Sequence, residues 1–323
     1  MVDPSRPDRL SPGLLSIGTA PLGGLYSAVD EADALATLAA AAESGVTHFD
    51  TAPHYGRGLA EERLGKFLAQ AERPDRFTVS TKVGRRIHRT GTREPDDIFH
   101  GAPPGGSKFD FAPDAIREEL GESRTRLGRE FVDVVLLHDP DDHLDEAVVA
   151  AGELQRQRDA GFIGAIGVGT NSAEVAHYLL DRVPLDVVLL AGRITLLETS
   201  GESVADRCAR EGVVLLAAGA FQSGILAGGT DTYFDYQPAP ERVLRRVEDL
   251  RSVCNDFGVS LQQVAINHPR RFNGVASTLV GVRSTAEVTA AVGAISVDLP
   301  EDLWSAIDGV RACHGGIKTR RET

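Results

Sequence analysis

Val132-Asp133-Val134-Val135-Leu136-Leu137, closing on His138, is followed by a helical pattern over residues 144–160 and then by the apolar run 165–168. Apolar residues at nearly every position, rather than at alternate ones, fit a parallel strand buried on both faces. The same order repeats on either side. Apolar runs come before it at residues 14–17, 46–50 and 77–83, and after it at 185–190, 213–217 and 277–280. Helical stretches follow at 59–71, 113–127, 172–181, 202–211, 240–257 and 285–292. The first helix opens at Asp30 or Glu31, reaches Glu43 and stops at Gly45. Eight strand-then-helix units predict an α/β fold of the (β/α)8 TIM-barrel type. A doubly wound open sheet competes, but it places a GxGxxG phosphate loop after its first strand. The residues there are Thr19-Ala20-Pro21-Leu22-Gly23-Gly24. No composition break divides the chain, so one domain over residues 1–323 is expected. It ends in a helix over 301–313, with Trp304 on its apolar face, and a disordered tail over 315–323.

Composition narrows the function. The 323 residues carry 34 Lys and Arg against 47 Asp and Glu, a net charge of −13 without any basic block. That argues against nucleic acid and against an anionic membrane surface as partners, and leaves a small-molecule substrate. Residues 1–12 hold no apolar signal core, and no apolar run is long enough to span a bilayer. Cys208, Cys254 and Cys313 are far apart and form no CxxC pair, so a reduced, cytoplasmic protein is expected.

In a barrel, chemistry gathers where strands end. Asp50 ends the second run, Lys82 lies at the end of the third, and His138 ends the fourth; Tyr55 follows Asp50 by five residues. Each has an ordinary reading alone: a turn cap, a rim charge, a satisfied polar group. Together they fit proton transfer coupled to hydride transfer. A phenol has a reference pKa of about 10, too high for ready exchange near neutrality. A neighbouring ammonium lowers it, and a carboxylate holds that ammonium in place. This assigns Tyr55 as acid/base, Lys82 as its modulator, Asp50 as the partner of Lys82, and His138 as the orienter of the substrate oxygen. His48 and His54 flank Asp50, but no HxH or HExxH pattern accompanies them, so no metal is expected.

At these residues the chain resembles the aldo-keto reductase superfamily. The carrying motifs are Phe49-Asp50-Thr51-Ala52-Pro53-His54-Tyr55-Gly56, Ser80-Thr81-Lys82-Val83-Gly84 and Asp133-Val134-Val135-Leu136-Leu137-His138-Asp139-Pro140-Asp141-Asp142. The last, with Pro21-Leu22-Gly23-Gly24-Leu25-Tyr26, resembles the subgroup of L-fucose and D-threo-aldose 1-dehydrogenases and pyridoxal dehydrogenases. The resemblance implies that Asp50, Tyr55, Lys82 and His138 are the catalytic tetrad. It also implies NAD or NADP bound across the barrel mouth, and a sugar hemiacetal or small aldehyde or alcohol as substrate.

The cofactor positions depart from the family pattern. Ala218 stands where a stacking aromatic is common; Phe221 is a substitute or ordinary packing, and Gly219 beside it belongs to the expected cofactor site. Gly192-Arg193 ends strand six, with Arg193 reaching a phosphate or substrate carboxylate, or else forming a structural ion pair. Thr170 or Asn171 is expected on the carboxamide, and the amides of Val282, Arg283 and Ser284 on a phosphate. Gly281 and Glu287 occupy places where NADP-preferring members carry basic residues. Glu287 favours a free ribose hydroxyl and Arg283 a phosphate, and the balance leans to NAD. Residues 85–110, and residues 228–240 with Tyr233, Phe234 and Tyr236, are candidate lids. Two other readings stay open: a dinucleotide-binding regulatory barrel with little turnover, and a non-redox acid/base enzyme.

Overall fold

The computed structural model describes residues 12–89, 91–92, 97–227, 233–234 and 237–314. The expected tail at 315–323 and Tyr236 lie outside them. Eight strands form the centre: β1 (Leu15–Gly18), β2 (His48–Asp50), β3 (Thr78–Val83), β4 (Val132–His138), β5 (Ile163–Thr170), β6 (Val187–Ala191), β7 (Val214–Ala218) and β8 (Val275–Gly281). All are parallel, each pairs with the next, and β8 pairs with β1 to close the barrel. The register sets the strand ends side by side: Gly18 opposite Asp50, Asp50 opposite Ser80, Lys82 opposite Leu136, His138 opposite Gly169. Residues far apart in the chain are thereby delivered to one rim.

The helices are α1 (Glu31–Glu43), α2 (Leu59–Gln70), α3 (Pro113–Leu127), α4 (Leu144–Asp159), α5 (Ala173–Leu180), α6 (Glu202–Glu211), α7 (Glu241–Asp256), α8 (Leu261–Asn267), α9 (Thr285–Ile295) and α10 (Glu301–His314). The expected seventh ring helix, residues 240–257, is corrected here. The short α8 packs beside α9, whereas α7 packs against α10. Val243, Val247 and Leu250 of α7 share a separate cluster with Leu303, Trp304 and Ile307 of α10. Seven residues are too few to show a helical period, but Ser260 and Gln263 form a capping box that marks the start of α8. Among the described residues, no helix is long and apolar enough to cross a membrane.

Two apolar layers hold the barrel. The larger lies between strands and helices and includes Ile17, Phe49, Val135, Leu137, Val188 and Val280. The smaller fills the barrel interior, with Val134, Leu136, Val187, Leu189, Leu216 and Leu279. Glycines on β5 make room for it: a Cβ on Gly167 would stand 2.2 Å from the Val187 carbonyl oxygen and 2.5 Å from Leu136 Cδ2. The interior is lopsided. On the side of β8, β1, β2 and β3, beside Leu279, the buried interior residues include the polar Ser277, Ser16, His48, Ser80, Asp50 and Lys82.

Residues 85–110 are less irregular than the sequence implies. Arg85–His88 and Gly106–Phe109 pair as an antiparallel hairpin above the mouth. Neither strand buries one face against a core, so neither carries a period-two pattern.

Candidate active site

The chain leaves β2 through a turn that carries Tyr55 back over the mouth. The Asp50 carbonyl accepts from the Thr19 amide at 2.9 Å, and the Thr51 amide donates to the Ser80 carbonyl at 2.8 Å. The Tyr55 amide then donates to the Ala52 carbonyl at 3.1 Å, and the Gly58 amide to the Pro53 carbonyl at 2.8 Å. Lys82 enters from β3. Its Nζ donates to Asp50 Oδ2 at 2.6 Å and to the Thr51 carbonyl at 2.9 Å, and lies 4.7 Å from the centre of the Tyr55 ring. His138 enters from β4, its ring 5.8 Å from that of Tyr55 and at 89° to it. The structure therefore brings Asp50, Tyr55, Lys82 and His138 into one cluster.

Burial governs the charges in this cluster. Desolvation pulls the Lys82 pKa down, but Asp50 and Tyr55 outweigh it and its ammonium is held above the ordinary range. Burial pushes the Tyr55 hydroxyl above its ordinary value, while Lys82 works in the opposite direction. The phenol is thus protonated at neutral pH, not the phenolate that the ammonium alone would favour. Burial, with Lys82 and Arg85, keeps His138 neutral. Among the described residues, His138 Nδ1 is buried with no hydrogen-bond partner.

Tyr55, Lys82 and His138 of the cluster line one side of a cavity of about 330 Å³. Leu25, Tyr26, Ile98 and Phe99 give it an apolar wall; His54, Arg85 and Asp139 give it a polar one. An ion pair holds the apolar wall in place. Arg57, just past Tyr55, grips both carboxylate oxygens of Asp97 at 3.0 and 2.7 Å, with both side chains buried. Asp97 in turn accepts from the Phe99 amide at 3.0 Å. Across the mouth, Arg85 lies 3.2 Å from Asp139, whose φ of 47° is unusual for a residue other than glycine. Sequence reasoning gave these wall residues no individual roles. Leu25, Tyr26, His54 and Asp139 belonged to quoted motifs, and Arg85, Ile98 and Phe99 fall within residues 85–110, expected as a candidate lid.

The expected cofactor residues divide. Thr170 and Asn171 line the cavity, with Ala20, Gly169 and Ala191 beside them. Arg193, expected on a phosphate or carboxylate or else in a structural pairing, is buried and donates to the carbonyls of Asn171, just past β5, and of Gly192 beside it. Gly219 has a φ of 69° and packs on Gly192. Gly281, Val282, Arg283, Ser284 and Glu287 sit on the β8 side, outside the cavity wall. The Val282 side chain belongs to the main core and Ser284 caps α9. Arg283 lies 3.4 Å from Glu287, and its amide donates to Glu287 Oε2 at 2.9 Å. Phe221 packs between the two larger cores and Phe234 is buried in the second, so neither Phe221 nor Phe234 faces the cavity. Tyr233 is exposed and also lies away from it.

The buried imidazoles set an acid limit on stability. Burial lowers His48 to about 4 and His54 to about 3, and holds His138 and His268 well below the ordinary value. Between those values and about 6.5 the unfolded chain binds protons that the native state refuses, so stability falls as pH falls. Each imidazole contributes a slope of about 1.4 kcal/mol per pH unit. Glu119, raised by burial to about 8, acts in the opposite sense, because the native state keeps a proton that the unfolded chain releases. The expected net result is a drop in Tm of about 10 °C between pH 6.5 and 5. A Tm independent of pH over that range would show that these histidines are not held neutral.

An eight-stranded parallel barrel, with an ion pair, a phenol and an imidazole gathered over the carboxyl ends of β2, β3 and β4, defines a barrel enzyme built for proton transfer. The model of the aldo/keto reductase family matches residues 14–312, and the chain belongs to that family. It is accordingly an NAD(P)-dependent oxidoreductase. It is 34% identical to D-threo-aldose 1-dehydrogenase of a Pseudomonas species, over 92% of this chain and 93% of that one. It is 35% identical to pyridoxal 4-dehydrogenase of Microbacterium luteolum, over 91% and 92%. The glycerol dehydrogenase structure from Gluconobacter oxydans superposes with a TM-score of 0.76 at 27% identity, covering 94% and 93%.

Proposed function

We propose that the protein oxidises the hemiacetal hydroxyl of an aldose, or interconverts a small alcohol and aldehyde, with Tyr55 as acid/base. The carrying observation is the convergence of Tyr55, His138 and the Asp50-paired Lys82 on one side of a cavity that has an apolar wall and a polar one. A sugar presents the same two characters, C–H faces and hydroxyl edges. The similarity to an aldose 1-dehydrogenase supports this class, and pyridoxal, a ring with polar edges, is the next candidate.

The residues fit a nicotinamide. Ala20, Gly169 and Ala191 leave a wall free of bulk beside Lys82, and a Cβ on Gly169 would lie 3.4 Å from Lys82 Cε. Thr170 and Asn171 edge that wall and would hold the carboxamide. When bound, the nicotinamide supplies hydride exchange with the substrate carbon. The chain handles the proton. In oxidation the Tyr55 phenolate, offset by the Lys82 ammonium, accepts it from the substrate hydroxyl and becomes the phenol. In reduction Tyr55 returns it to the carbonyl oxygen. Neutral His138 orients that oxygen. Tyr26 and Ile98 line the cavity and are about half exposed, at 53% and 45%, so they stand at its rim.

We infer a preference for NAD. Arg283 is compensated by Glu287 and also donates to Ser27 Oγ at 3.1 Å, so a 2′-phosphate would meet a carboxylate as well as a cation. Fluorescence titration should show NADH binding more tightly than NADPH, and Glu287→Gln should tighten NADPH about tenfold. Tighter NADPH binding by the unaltered protein would overturn the preference, and binding of neither would overturn the cofactor site. The three free cysteines, two of them buried, suit a reducing cytoplasmic setting.

A further inference from the structure

We infer that a one-way hydrogen-bond chain through the polar half of the barrel, Ser277 to Ser16 to His48 to Ser80, holds the Asp50 carboxylate and so sets how strongly Lys82 acts on Tyr55. The inference rests on the tetrad roles proposed above. Ser277 Oγ and Ser16 Oγ are 2.8 Å apart, and Ser16 Oγ is 2.8 Å from His48 Nδ1. His48 Nε2 is 3.1 Å from Ser80 Oγ, and Ser80 Oγ is 2.6 Å from Asp50 Oδ1. The whole chain is buried.

Its direction follows from counting protons. A carboxylate only accepts, so the Ser80 hydroxyl donates to Asp50. That spends the one proton of Ser80, so His48 Nε2–H donates to Ser80. Burial keeps His48 neutral, near 4, and a neutral imidazole has one N–H. Nδ1 therefore accepts from Ser16, whose own oxygen accepts from Ser277. Every donor points toward Asp50, an alignment in which each bond polarises the next. The other carboxylate oxygen, Oδ2, meets Lys82 at 2.6 Å. Packing alone does not call for hydroxyls here, since the opposite half of the same interior is filled with hydrocarbon.

The chain has a chemical consequence. Donation to Oδ1 draws negative charge away from Oδ2. Without it, Oδ2 holds Lys82 more tightly, and less of the ammonium's field reaches the phenol. The other charged or titratable groups facing Tyr55 are His54 on its own turn and His138 and Asp139 at the end of β4, with Arg85 acting on both imidazoles. None of them belongs to the chain. Ser16, His48, Ser80 and Ser277 are thus positioning residues acting through Asp50.

Two readouts test this on the full-length protein. Long-range 1H–15N spectra should show His48 as the neutral Nε2–H tautomer from pH 5 to 9; an Nδ1–H tautomer reverses the chain and overturns the inference. In L-fucose oxidation with NAD, Ser80→Ala and His48→Leu should each move the alkaline limb of kcat/KM up by about half a pH unit, a threefold loss on its acid side. His48→Gln, which keeps an N–H for Ser80 and a carbonyl for Ser16, should return the limb. A purely structural role would lower Tm in these variants and leave the limb where it was, which overturns the inference. Should either disruptive variant fail to fold, the tautomer and the other variant decide. An unmoved limb alongside an inactive Tyr55→Phe rejects the chain alone, whereas an active Tyr55→Phe rejects the tetrad roles beneath it.

Discussion

Tyr55→Phe is expected to lower turnover about 10³-fold, the scale of losing a positioned acid/base, while leaving NADH affinity within about twofold. The substitution removes one oxygen and leaves the ring. The ring contacts with Phe99 and His138 do not depend on that oxygen, and Lys82, which also interacts with it, keeps its bonds to Asp50 and to the Thr51 carbonyl. The phenol is buried and its pKa is raised, so removing its hydroxyl also removes a desolvated polar group; Tm should hold or rise. Steady-state kinetics at several pH values and a nucleotide titration check this together. Near-native turnover would mean that another group moves the proton. Lost turnover accompanied by lost nucleotide binding would mean that the substitution damaged the mouth rather than the chemistry.

Lys82→Met is expected to cost about 3–5 kcal/mol of stability, because it leaves the Asp50 carboxylate inside the barrel without its cation. Both side chains of the pair are almost fully shielded from water, at 2% and 3% exposure, so solvent offers little compensation. Tm should fall by about 10 °C or more. Turnover should fall about 100-fold or more, since nothing else offsets the burial that already raises the Tyr55 pKa. Combining Lys82→Met with Asp50→Asn separates the two effects. The neutral amide removes the stranded charge, and Ser80 can still donate to its oxygen, so stability should recover most of the loss while turnover does not. Recovery of both would show that Lys82 serves the fold alone. Unchanged Tm in the single variant would show that water reaches Asp50.

The strand pattern was legible because parallel barrel strands are buried on both faces and read as apolar runs. Helices with clear ends were equally legible: the pattern over 113–127 and 202–211 matches α3 and α6 residue for residue. The candidate site was legible to the extent that it depends on strand ends. Asp50, Lys82 and His138 each stand at the close of an apolar run, which is where a barrel presents its chemistry. Legibility failed where structure comes from packing rather than period. The α8 helix has too few residues for a stripe, and the hairpin over the mouth buries neither face.

His48 shows the division most sharply. In the sequence it is a histidine two positions before Asp50, with no metal pattern around it. Its partners Ser16 and Ser80, and Ser277 beyond Ser16, lie on three other strands, and only barrel closure, which sets β8 beside β1, completes that line. Arg193 and Glu287 needed the structure for the same reason, since a side chain's partner decides whether its charge is available. The sequence by itself determined the order of strands and helices, and hence which residues arrive at the barrel mouth, because those follow from local periodicity. Tertiary structure alone decided which of those groups meet, how deeply each is buried and therefore which protons they hold, because hydrogen bonds and desolvation depend on distances between strands that no local pattern encodes.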